Sequence, residues 1–206
     1  MEILMICRPI RLVMSTALLA GCWSAGLYQA RAAETIENTY IRMDIQANGR
    51  FGMRTKEGNP ADPDDDDKRL TYSSDGSTNG LSARVGTSEA RDLGNGDASA
   101  PVTTPLSVNG NVGTIVWQFD GVELTATYEL VQSDSGRGDT GKVTYQFRNL
   151  GGTSRTVSLK SGLDTMIGGN DDAKLATGAG IIDVESGFGT GFASPVPDFW
   201  QALERS

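Results

Sequence analysis

Apolar and polar residues alternate with a period of two along most of this chain, the signature of half-buried strands. The clearest run is Val112 to Phe119, followed by Asp120-Gly121 and then by Val122, Leu124, Ala126, Tyr128 and Leu130 with polar residues between them. Two alternating runs joined by an Asp-Gly pair predict a tight hairpin. Upstream, Ile41, Met43 and Ile45 alternate before Asn48-Gly49, a second hairpin turn leading into Phe51 and Met53. Further strands are expected around Leu70 and Tyr72, at Leu81 to Val85, at Val143 to Phe147, and from Thr156 to Leu163. Segments rich in Gly, Asp, Ser and Asn (56–68, 73–80, 86–101, 133–141 and 149–152) read as turns and loops. Only Pro197 to Arg205 reads as helical, a short turn with Asp198 near its start. Meandering short strands predict an all-β fold, an antiparallel β-sandwich. The apolar run Phe199 to Leu203 falls just before the final residues and calls for packing against something further on. The expectation is therefore a sandwich truncated at its C-terminus, or the N-terminal part of a longer protein.

The first residues break the alternation. Arg8 and Arg11 precede an apolar run from Leu12 to about Tyr28, and Ala30-Arg31-Ala32 offers the small-x-small pattern of signal-peptidase cleavage. Residues 1–32 thus read as a signal peptide and 33–206 as the β-sandwich domain. A second cut competes within the same run. Leu19-Ala20-Gly21-Cys22 matches a bacterial lipobox, in which Cys22 carries the lipid and becomes the new N-terminus. The residues after Cys22 stay apolar, whereas a lipoprotein usually continues with a polar tether. An uncleaved anchor fits less well, because the run falls short of the ~20 apolar residues of a spanning helix. Either cut predicts an extracytoplasmic protein: secreted, periplasmic, or held at the cell envelope by a lipid anchor. No Asn-x-Ser/Thr sequon is present, which favours a bacterial source.

Composition narrows the chemistry. The chain has 206 residues, no histidine, and two cysteines, Cys7 and Cys22, both within the leader. The remainder therefore has no disulfide framework, no Ser-His-Asp or Cys-His nucleophile, and no histidine base. Losing Arg8, Arg11, Arg31 and Glu2 takes the net charge from −8 to −10. Such a surface repels nucleic acid and anionic membrane faces, leaving a lipid anchor as the only expected membrane contact. It is compatible with calcium, and first of all with solubility.

The densest cluster of oxygen donors follows the last predicted strand. Asp164, Asn170, Asp171 and Asp172 surround the turn Gly168-Gly169, and glycines allow such oxygens to converge on a hard cation. An ordinary Asn/Asp turn capping its own backbone explains the same residues, and the EF-hand spacing is absent. Asp62 to Asp67 is a second acidic run; with Lys68 it spells the recognition sequence of enteropeptidase, and it reads as a solvated loop. Arg137-Gly138-Asp139 forms the integrin tripeptide, and Asp139-Thr140-Gly141 stands without the second carboxylate that an aspartic protease needs. Asp120, Glu123, Glu129, Asp164, Asp183 and Glu185 are the carboxylates available to glycoside chemistry, with no spacing that selects a pair. Trp117, Phe119, Tyr128, Tyr145 and Phe147 fit either a sugar-stacking platform or, better, one buried face.

The stretch Thr144 to Asn149, the element Leu163-Asp164-Thr165-Met166-Ile167-Gly168-Gly169-Asn170-Asp171 and the segment Pro197-Asp198-Phe199-Trp200 together resemble a domain of uncharacterised exported bacterial proteins. That resemblance covers the last third of the chain and implies no activity. The layout is also similar to the supersandwich of galactose-mutarotase-like and sugar-binding proteins, whose enzymes use the histidine this chain lacks. The expected function is a non-enzymatic binding or surface-structural module, with carbohydrate or another envelope protein as partner and no cofactor beyond a calcium ion. The alternative is a non-catalytic or partly catalytic region of a carbohydrate-active enzyme. An adhesive ligand is a third reading and requires Arg137-Gly138-Asp139 at an exposed tip.

Overall fold

A computed structural model describes residues 33–206 other than 59, 134–135, 167–173, 178–179, 183–199 and 204–206. The described residues form an all-β, sandwich-like arrangement of antiparallel sheets without an α-helix. No helix among them is long and apolar enough to cross a membrane. The first sheet is built from β1 (Glu34–Glu37), β2 (Ile41–Ile45) and β3 (Phe51–Thr55). Its second hairpin turns at Asn48-Gly49, as the sequence predicts. Gly49 has φ +81°, and a methyl there would lie 2.5 Å from the Trp117 ring. Only glycine meets both demands.

The largest sheet has the order β6 (Val102–Asn109), β7 (Val112–Phe119), β8 (Val122–Val131), β9 (Thr140–Asn149). Asp120 and Gly121 form the β7–β8 turn with φ of 46° and 73°, the double positive φ that matches the twist of paired strands. Ile115, Trp117, Phe119, Val122, Leu124, Ala126 and Tyr128 point inward and are buried. They pack with Ile36, Met43, Ile45 and Phe51 of the first sheet in one core. The Phe51 and Tyr128 rings meet edge to face at 5.7 Å. Gly113 lets Ile45 approach the backbone of β7, since a methyl there would sit 2.8 Å from its Cδ1.

A third sheet has the order β10 (Val157–Gly162), β4 (Gly80–Val85), β5 (Arg91–Asp92). Leu81, Ala83 and Val85 close the core from this side. A fourth pairs β11 (Lys174–Thr177) with both β12 (Gly180–Ile182) and β13 (Trp200–Leu203).

Four expectations change. Residues 200–203 are a strand, not the helix expected over 197–205, while Pro197, Asp198 and Phe199 lie outside the described residues. A helix that short is marginal, and pairing with β11 satisfies the backbone instead. No strand forms around Leu70 and Tyr72; isolated bridges join Arg54 to Arg69 and Thr71 to Thr165. The phase is also inverted, with Thr71 buried and Tyr72 44% exposed. The expected loop 86–101 contains β5 and a 3-10 turn, Leu93–Asn95, and it buries Leu93 and Ala100. Finally, β6 is a strand that the alternation does not announce. Pro105 interrupts it and its register against β7 shifts twice, between Val102 and Thr104 and between Thr104 and Ser107. Proline is tolerated there because β6 is an edge strand.

Candidate functional site

The outward face of the β6–β9 sheet carries the most ordered array of polar groups among the described residues. Period two sends every second side chain to this face, and the register aligns them in rows. One row runs Ser107, Thr114, Thr127, Thr144; the next runs Val116, Thr125, Gln146. Flanking them are the rows Gln118, Glu123, Arg148 and Val112, Glu129, Lys142. Small hydroxyl and amide side chains thus occupy the centre, with charged residues at both ends.

Those end charges are already matched. Arg148 donates through Nε and Nη2 to the two carboxylate oxygens of Glu123, at 2.9 and 2.8 Å, and Gln118 adds a third hydrogen bond at 3.0 Å. The Arg148 contact, then the Gln118 one, holds the Glu123 carboxyl below its ordinary range. Glu129 sits 3.4 Å from Lys142. At the β7–β8 turn, Arg91 donates to both oxygens of Asp120, at 3.1 and 3.0 Å, and lowers its pKa. A general acid for glycoside cleavage needs a carboxyl whose pKa is raised, not lowered. Asp120 and Glu123 are thus tuned the opposite way; Asp183 and Glu185 lie outside the described residues.

Of the expected cation ligands, Asp164 is half-buried at the junction between the first and third sheets. Its N–H donates to Asn79 Oδ1 at 2.7 Å and its carbonyl accepts from the Tyr72 N–H at 2.9 Å. Asn170, Asp171 and Asp172, with the rest of the Gly-Gly turn, lie outside the described residues, as does Cys22 with the whole leader. No group of three or more acidic side chains able to share a metal ion occurs among the described residues.

The acidic loop is tied down rather than gathered around a centre. Asp62 Oδ1 accepts from the Asp64 N–H to cap a 3-10 turn, Pro63–Asp65. Asp67 lies 3.6 Å from Arg54. Arg137 and Asp139 pair with each other at 3.2 Å, and the Gly138 carbonyl accepts from Asn38 Nδ2 at 2.6 Å. The tripeptide is thus closed on itself and fastened to the β1–β2 turn, which is not the exposed tip adhesion requires. The rings of Trp117, Phe119 and Tyr128 are buried, and those of Tyr145 and Phe147 are half-buried against the same core, so this set is core and not a stacking platform.

Two residues that the alternation did not single out organise the Asp164 junction. Asn79, 4% exposed, donates from Nδ2 to the Phe51 carbonyl at 2.6 Å while accepting from Asp164. Thr71 Oγ1 accepts from the Met53 N–H at 3.0 Å and donates to the Ser73 carbonyl at 2.8 Å. Asn79 falls in the stretch 73–80 that reads as turn, and Thr71 at the polar position of the strand expected around Leu70 and Tyr72, so neither stands out in the sequence. No family model, curated protein or solved structure matches this chain.

Proposed function

We propose that this chain is an exported bacterial β-sandwich module with a non-enzymatic binding or surface-structural role, and that the outward face of β6–β9 is its contact surface. The observation that carries this reading is the alignment of Ser107, Thr114, Thr127 and Thr144 beside Val116, Thr125 and Gln146, a strip dominated by hydroxyl and amide groups. Such groups both donate and accept hydrogen bonds, which suits a neutral polyhydroxyl chain such as a cell-envelope carbohydrate. The end carboxylates are already paired, Glu129 with Lys142 and Glu123 with Arg148, and Arg148 followed by Gln118 lowers the Glu123 pKa, which supports binding over hydrolysis.

The test is co-sedimentation of the purified protein with peptidoglycan sacculi and with an insoluble neutral glucan, beside a Thr127→Lys variant. Retention on one of these polymers that is lost in the variant is the expected result. Equal retention of both proteins would overturn the assignment of the face. Release of reducing ends during the incubation would overturn the non-enzymatic role and favour the carbohydrate-active alternative.

A further inference from the structure

The two edges of the largest sheet are built in opposite ways. At β6, Pro105 removes a backbone donor and two register shifts break the ladder. At the other edge, β9 pairs with β8 through ten consecutive positions without a shift and contains no proline. Among the described residues no strand pairs with the outer edge of β9. Its inward residues Val143, Tyr145 and Phe147 are only half-buried, and its outward residues Lys142, Thr144, Gln146 and Arg148 are exposed. A long, regular, open edge of this kind is a template for another strand.

We propose that β9 is a self-association edge, which pairs antiparallel with β9 of a second copy about a twofold axis through Thr144. The register follows from β9 itself. Both strands must keep their apolar residues on the core side, so the axis passes through a residue and not between two, and axes through Thr144 and Tyr145 pair more of Thr140–Asn149 than any other. An axis through Tyr145 sets Lys142 opposite the second copy's Arg148, and like charges directly opposite are destabilising. An axis through Thr144 sets Lys142 opposite Gln146, Arg148 opposite Thr140, and Val143 opposite Tyr145. No like charges then face each other, and the last pair joins a β-branched residue to an aromatic one, a favourable combination. The interface is isologous, so it closes as a dimer, and the interrupted β6 edge at each end stops further strands from adding. The product is one continuous eight-stranded sheet.

The decisive experiment is oxidative cross-linking of the purified full chain carrying Cys7→Ser and Cys22→Ser, with a single cysteine introduced by Thr144→Cys or, as control, by Thr125→Cys. Residues opposite each other in an antiparallel pair lie about 4.5–5.5 Å apart at Cα, inside the disulfide range of about 4.4–6.8 Å. Thr144→Cys should give a disulfide-linked dimer on the order of a hundredfold faster than Thr125→Cys, because pairing replaces collision with a high effective concentration. Light scattering should give twice the chain mass for the unsubstituted protein and a single mass for Thr144→Lys, an exposed position whose change leaves the fold's circular dichroism intact. A single mass for the unsubstituted protein would overturn the proposal. So would equal cross-linking rates at positions 144 and 125, and this arm decides the matter even if Thr144→Lys misfolds.

Discussion

The β7–β8 hairpin and the junction around Thr71, Asn79 and Asp164 are held together by opposite means. The hairpin buries seven inward side chains, from Ile115 to Tyr128, and its stability comes from apolar area removed from water. The junction has little apolar area to bury. Its backbone groups, Met53 N–H, Phe51 C=O, Asp164 N–H and Ser73 C=O, are satisfied by two buried polar side chains. A hairpin of the first kind tolerates exchange among apolar residues of similar size. A junction of the second kind depends on particular atoms, since a buried polar group that loses its partner costs more than the bond itself contributes.

Substitutions can break this contrast at either end. Trp117→Ala should cost most, about 3–5 kcal/mol, because it removes a ring buried to 1% exposure and leaves a cavity beneath Gly49; chemical denaturation measures it. Asn79→Ala should cost less, about 1–3 kcal/mol for a group left unpaired, since it strands the Phe51 carbonyl and the Asp164 N–H. Its effect should also be local. In hydrogen exchange, the Tyr72 and Asp164 amides should lose protection while those of β7 and β8 keep theirs. Loss of protection across both regions would mean that the junction and the hairpin open as one unit.

Acidification probes a third kind of contact. Arg91 holds the folded-state pKa of Asp120 below its unfolded value of about 3.9. The stabilisation is therefore fully present above that unfolded value and is lost as pH falls through the folded one. Asp120→Asn keeps the turn, because asparagine also accepts the positive φ that Asp120 adopts before Gly121. The melting midpoint of this variant should consequently fall less steeply on the acid side than that of the parent. The smallest effect is expected from Arg148→Gln. The Arg148 side chain is 66% exposed, and a solvent-screened pair adds little, so the melting midpoint should stay within experimental error.

What could be read in the sequence follows the same division. The hairpins at Asn48-Gly49 and Asp120-Gly121 were legible because apolar periodicity and turn chemistry agree there. Around Leu70 and Tyr72 the apolar residues suggested the wrong phase, because the residue buried between them is a threonine chosen for its hydroxyl. Strand β6 was hidden because Pro105 and two register shifts erase a period of two. The outward face of β6–β9 could be read only as solvent-facing. That Ser107, Thr114, Thr127 and Thr144 form one row is a matter of register, which no single strand encodes.

The acidic loop has a practical consequence. Its four aspartates and lysine invite a protease that cuts between Lys68 and Arg69, yet that bond is stitched into the fold. Thr55 Oγ1 accepts from the Lys68 N–H at 2.7 Å, the Lys68 carbonyl accepts from the Thr55 N–H at 2.9 Å, and Arg69 bridges to Arg54. A protease needs this stretch drawn out in its cleft, so enteropeptidase should cut only molecules in which the loop has peeled away from β3. The rate of cutting then becomes a native stopwatch for that opening, read without any label attached to the protein.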